Sequence, residues 1–269
     1  MAVLRRKSKS MEVTLEQLLE AGAHFGHHSR RWNPKMAPYI YGVKDGVHVF
    51  DLAKTRELLL AALSELEAAV REGKSILFVG TKKQAKDKLK EIATNAGYPY
   101  INERWLGGTL TNFNQISKSV KKLSELEEEL RRTDINYTKK ERLLMARHME
   151  KLQRFVGGLV TLTKTPDLIV IIDTHKEKGA VSEAQRMNVK TIGIVDSNAD
   201  PDDVTFPIPM NDDSESSVNF ILDLFEKAIE QGKKKVLPVK EVKKPASAPK
   251  VKKQKKETKS KKVAKSKTK

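Results

Sequence analysis

Three groups of side chains in this sequence are spaced so that they could do chemistry. Asp173 and His175 lie two positions apart in IIDTHKEKG, and Asp196 opens DSNADP. Carboxylates beside an imidazole can serve as acid, base or metal ligand near a phosphate, which is the minimum an α/β enzyme using a nucleotide or sugar phosphate would need. The structural alternative is that both aspartates cap loops or helices and His175 is a surface residue. A second group is AHFGHHSRRWNPK, residues 23–35, a turn-rich segment closed by Asn33 and Pro34. His24, His27 and His28 could bind a metal, but structural zinc wants four ligands, the chain has no Cys, and no second His pair stands at a suitable spacing. In the same segment Arg30, Arg31 and Lys35 can meet phosphates while Phe25 or Trp32 offers a stacking face for RNA. Core packing of the two aromatics explains the spacing equally well. The third group is GTKKQ, residues 80–84, a strand, turn, helix corner of the kind that cradles phosphate. GxxxxGK[ST] and GxGxxG are both absent, so no nucleotide cofactor is expected and this Lys-rich corner is read as solvated or RNA-facing.

The elements that position these groups follow from periodicity. Residues 168–172 and 191–195 are continuous apolar runs, as in parallel strands covered on both faces, and between them Val181, Ala184 and Met187 share one helical stripe. In open α/β sheets ligands sit beyond the carboxyl ends of strands, where Asp173 and Asp196 fall. Residues 15–21 read as a short helix capped by Thr14, residues 52–71 as a long amphipathic helix, and residues 76–79, 98–101 and 206–209 as further strands. Residues 39–51 alternate around Asp45-Gly46 and predict a hairpin at a sheet edge. The loop RWLGGTLTNF carries Arg104, Trp105 and paired glycines, so something approaches its backbone closely. Phe113, Ile116, Val120, Leu123, Leu126 and Leu130 form one seam and Met145, Met149, Leu152, Val156 and Leu159 another, which predicts a helical hairpin breaking near Thr133, Asp134 and Asn136. Its tip is basic, with Arg131, Arg132, Lys139 and Lys140, and reads as a docking arm. A last amphipathic helix follows residues 212–214, with Gly232 expected to end the folded body.

The net charge of +17 over 269 residues is uneven: residues 233–269 hold 17 Lys against 2 Glu, a net +15, which leaves +2 for the body. The tail is too poor in bulky apolar residues to offset the entropy of ordering, so it is expected to be disordered in isolation. Lack of Cys excludes a disulfide scaffold, and no run of about 18 apolar residues or secretion-type start is present, so a cytoplasmic, membrane-free protein is expected.

AGAHFGH, WNPKMAPYIYG, RWLGGTLTNF, PDLIVIID and IVDSNADP occur in an order and spacing that resembles the ribosomal protein S-two family of the small ribosomal subunit, in its bacterial or organellar form. The resemblance covers about residues 12 to 230. It implies a flavodoxin-like parallel-sheet sandwich over residues 1–112 and 158–232, a protruding antiparallel coiled-coil hairpin over 113–157, and the basic tail over 233–269. It also implies a non-catalytic constituent of the ribosome, bound to small-subunit rRNA and neighbouring ribosomal proteins, including ribosomal protein S-one. Arg30, Arg31, Trp32, Lys35, Arg104, Trp105, Arg131, Arg132, Lys139 and Lys140 are the candidate RNA contacts. No catalytic residue, metal ligand or cofactor is expected.

Overall fold

The computed structural model describes residues 12–132 and 137–235. The break expected around Thr133 to Asn136 and the tail from residue 236 lie outside the described residues. Within them the chain opens with α1 (Leu15–Glu20), whose Thr14 hydroxyl accepts the Gln17 amide at 3.2 Å while the Gln17 side chain accepts the Thr14 amide at 3.1 Å, a reciprocal cap. The segment at 23–35, read from sequence as turn-rich, instead contains strand β1 (Phe25–His28). It pairs with the hairpin of β2 (Ile40–Lys44) and β3 (Val47–Phe50) in the order β1-β3-β2. The predicted Asp45-Gly46 turn is present, with φ of 51° and 79°. The hairpin does not extend the main sheet, as its sequence implied; it builds this second, antiparallel one.

After α2 (Leu52–Arg71), capped by Asp51, come β4 (Ile76–Val79), α3 (Lys86–Ala96) and β5 (Tyr100–Ile101). The helices α4 (Phe113–Arg131) and α5 (Lys139–Val156) follow, then β6 (Leu168–Ile171), α6 (Lys178–Arg186), β7 (Lys190–Val195), β8 (Phe206–Pro209) and α7 (Glu215–Lys234). The five strands pair in parallel in the order β5-β4-β6-β7-β8, which is the order of a flavodoxin-like core. Side-chain alternation explains the unbroken apolar runs. Phe78, Val170 and Ile192 face a core built with α2, α3 and α7, whereas Val79, Ile171 and Val195 face a second core that includes Trp105, Leu110 and Val181. The expected α6 stripe holds at Val181 and Ala184 but not at Met187, which caps the helix and is exposed.

Helices α4 and α5 pack on each other, and the Arg142 guanidinium reaches the Leu130 carbonyl at 3.5 Å. Ile116, Leu123 and Leu126 are buried, whereas Met145, Met149 and Leu152 are half-buried, since one facing helix covers only one side of α5. The base of α5 is tied to the sheet: Arg154 and Lys86 both pair with Glu103, just beyond β5.

Gly232 does not terminate the body. Helix α7 continues to Lys234, and Gly232 is where it crosses α2; a Cβ there would stand 2.7 Å from Val70 Cβ and 2.9 Å from the Glu67 carbonyl. A methyl group at this crossing must push two helices apart. We expect Gly232→Ala to destabilise the protein by about 1–3 kcal/mol in thermal melts, the usual range for overpacking. A glycine that merely ended a helix would give a neutral or stabilising change.

Candidate nucleic-acid interface

The carboxyl ends of the parallel strands carry the groups that could do chemistry, and the chain uses nearly all of them on itself. Asp173, held at φ 67°, accepts the Lys176 amide at 2.8 Å. Lys82, from the phosphate-cradle-like corner, turns inward and not toward solvent: its ammonium lies 3.3 Å from Asp173, 2.7 Å from Asp212 and 2.6 Å from Asp213. Asp196 accepts the Ser197 hydroxyl at 3.1 Å and meets His27 Nδ1 at 3.0 Å, and the other side of the His27 ring lies 3.3 Å from Asp213. His175 is exposed and takes no part. The dyad that an enzyme would need is therefore not assembled, because the aspartates serve one ammonium and a different imidazole.

Electrostatics in this cluster follow from crowding. Burial, with Asp196 and Asp173 close by, pushes the Asp212 carboxyl up to about 8 despite the Lys82 ammonium. The hydrogen bond to Asp196 raises His27 and outweighs its burial. His24 and His28 do not converge on His27. Its ring instead meets Asp212 and Asp213, with one ligand atom of each within 4.8 Å of the others, and Lys82 already provides a cation there.

The residues predicted from sequence to touch RNA fall into three places. Arg30 and Arg31 are exposed and line a cavity of about 480 Å³ with His27, His28 and Asp213. Trp32 is 38% exposed and lies over His48, ring centroids 4.9 Å apart, while Lys35 is drawn to Asp200 at 2.7 Å and Asp202 at 3.0 Å. Arg104 is exposed beside a crevice of about 460 Å³ that also takes in Thr81 and Lys176. Arg131, Arg132, Lys139 and Lys140 are exposed where α4 ends and α5 begins. Trp105 is the exception, for its ring is buried and its indole N–H donates to Glu183 at 3.0 Å.

Glu183 is the residue that sequence reasoning missed. Its two oxygens accept the Trp105 indole, the amides of Gly108, Leu110 and Thr111, and the Thr111 hydroxyl, all between 2.8 and 3.1 Å. This carboxylate is what approaches the Gly-Gly backbone. Burial alone would raise its pKa, but the indole and the three amides hold it below the usual glutamate value. The signal was present, since an acid interrupts the apolar stripe of Ala180, Val181 and Ala184.

Against known proteins, the profile of the family described as Ribosomal protein S2 matches residues 18–232. The chain belongs to the ribosomal protein S2 family. The small ribosomal subunit protein uS2 of Bartonella tribocorum is 48% identical over 221 residues, 82% of this chain and 83% of that protein. Those of Rhodospirillum centenum and Kocuria rhizophila are 47% and 48% identical, over 81% and 82% of this chain and 84% and 78% of their own lengths. The matched span of this S2-family chain contains both the Glu183 anchor and the Lys82 cluster.

Two outcomes follow. Glu183→Gln presents an amide to donors that need an acceptor, and should destabilise the protein by about 2–4 kcal/mol in denaturant titrations while freeing the Trp105 ring, read by its fluorescence. The second concerns pH. The folded-state pKa of Asp212 lies above its unfolded value of 3.8, so stability from this group falls as pH rises from about 4 to about 8. The raised His27 adds stability that is full below 6.5 and lost as pH climbs through its folded value. The melting temperature should thus decline from about pH 6 to about pH 8, and Asp212→Asn should flatten that decline; an unchanged slope would place the proton elsewhere.

Proposed function

We propose that this chain is a structural constituent of the small ribosomal subunit, bound to small-subunit rRNA and to neighbouring ribosomal proteins, and not an enzyme. The observation that carries this reading is the family match across residues 18–232. The engagement of Asp173, Asp196 and Asp212 by Lys82 and His27 supports the non-catalytic part. Among the described residues no helix is long and apolar enough to cross a membrane.

Within that reading we assign parts to regions. The α/β body, residues 12–112 and 158–234, carries placement on the subunit. Residues 113–157 act as a protruding coiled-coil hairpin, supported by the packing of α4 on α5 and by a base held through Glu103. Its tip places Arg131, Arg132, Lys139 and Lys140 at fixed positions for rRNA phosphates. Arg30, Arg31 and Trp32 form a second contact and Arg104 a third, with Trp105 bracing the Arg104 loop from beneath and Lys35 bracing its own. Ribosomal protein S-one is the expected protein neighbour, and the cytoplasm the expected setting. The Lys-rich tail adds charge without sequence information, since a polycation binds by counterion release with a salt slope of about 0.7–0.9 per phosphate.

Reconstitution of small subunits from wild type and variants in competition, at two salt concentrations, tests these assignments. A chain ending at Lys235, which keeps α7 whole, should incorporate at the correct place while its affinity for unrelated RNA falls and its salt dependence flattens. Reversing the four tip charges should impair incorporation with the tail intact. Triple substitution of Arg30, Arg31 and Arg104 by Ala with no loss of incorporation would make those loops structural only, and failure of the truncated chain at both salts would make the tail part of the specific site.

A further inference from the structure

The middle strand of the small antiparallel sheet buries a histidine that bonds to nothing through its side chain. His48, on β3, is 5% exposed, and neither ring nitrogen has a hydrogen-bond partner. Burial holds its pKa below the usual 6.5, so at neutral pH the ring carries one N–H donor and one acceptor, both unanswered. Stranded polar atoms of this kind are rare, because they leave water and receive nothing in return. Phenylalanine would fill the same space without that loss.

What lies over the imidazole is the Trp32 indole, with ring centroids 4.9 Å apart and planes inclined at 31°. The indole keeps one side in solvent, and among the described residues no hydrogen bond holds it. Two opposed effects set how firmly it stays. Leaving His48 forfeits the stack, but it returns two ring nitrogens to water. An incoming aromatic ring would restore the stack and keep the gain. Beside the indole, Arg30 and Arg31 lie in the single turn Ser29–Arg31, both exposed and neither paired with a carboxylate among the described residues. Lys35, by contrast, is held by Asp200 and Asp202. An aromatic face flanked by free guanidiniums suits an unpaired nucleotide, whose base stacks while its phosphates meet the cations; a duplex hides its bases and presents phosphates alone.

We propose that Trp32 is a swinging stacking residue, which rests on His48 in the free chain and turns outward onto an unpaired base of small-subunit rRNA, with Arg30 and Arg31 at the flanking phosphates and the His48 nitrogens opened to water. This rests on the rRNA-binding reading above. It adds a ligand class, single-stranded RNA, and a positioning residue, His48, which sets how easily the indole leaves.

The test uses the full chain labelled with 5-fluorotryptophan, whose two tryptophans give two fluorine resonances, that of Trp32 assigned through Trp32→Phe. A short single-stranded RNA of mixed sequence should shift the Trp32 resonance and leave that of Trp105 in place, and a duplex of the same length should shift neither. The pKa of His48, read from its ring protons, should rise in the RNA complex, while that of His24, which burial also lowers, stays as the control. His48→Phe and the smaller His48→Leu should melt at or above the wild-type temperature, yet need about three- to tenfold more RNA to move the Trp32 signal, the size of one hydrogen bond regained. Both should lose to wild type in reconstitution of small subunits. A Trp32 resonance that ignores single-stranded RNA, or His48 variants that melt below wild type or respond to RNA as it does, would overturn the inference, and continued incorporation of wild type would leave the family-based reading intact. A Trp32 signal that moves only with duplex, or only when a neighbouring ribosomal protein is added, would overturn it by giving the indole to that partner. Failure of wild type to incorporate would remove both.

Discussion

The Glu183 carboxylate is the contact on which the second face of the sheet depends. A glycine-rich crossing loop cannot use a ladder or a helix to satisfy all its amides, so Gly108, Leu110 and Thr111 present donors that must find acceptors elsewhere. One buried carboxylate answers them together and fixes the Trp105 ring against α6. That in turn gives Leu110 and Trp105 a place in the core beside Val79 and Ile171, and it positions the start of α4 immediately afterwards. A charge buried in this way is stable because every lone pair is engaged; its removal would leave several donors unanswered at once.

A second charged knot closes the strand ends. In a doubly wound sheet these ends form the crevice in which ligands gather, and four aspartates there would repel one another if left alone. Lys82 and His27 bind them together, tying the β4 turn, β1 and the start of α7 to the loops after β6 and β7. The crevice that an enzyme would use is filled by an internal brace, while Arg30, Arg31 and Arg104 stay exposed.

Much of the fold was legible because burial on both faces leaves an unbroken apolar run, as in residues 168–172, and because caps such as Thr14 and Asp51 announce helix starts. What escaped depends on partners distant in sequence. FGHH carries no strand period, and becomes β1 only because β3 offers it a ladder. Lys82 reads as solvated until the Asp212 and Asp213 loop, 130 residues further on, is folded beside it. Gly232 looks like a stop until α2 is seen to press against it. For the site the same holds: exposed arginines were readable from their turn-rich setting, whereas Trp105 was drawn inward by an acid in another element.

Both margins of the parallel sheet are built to refuse further strands. β5 has only two residues, too few to template a neighbour. On β8 the Met210 amide donates inward to Val195, and alternation gives Ile208 the same direction, so positions 207 and 209 face outward. Both are proline, which has no amide hydrogen to offer. An incoming strand, whether from another copy or from a half-folded chain, would find no donors along that margin. The parallel sheet therefore cannot template its own extension from either margin, whatever the local crowding.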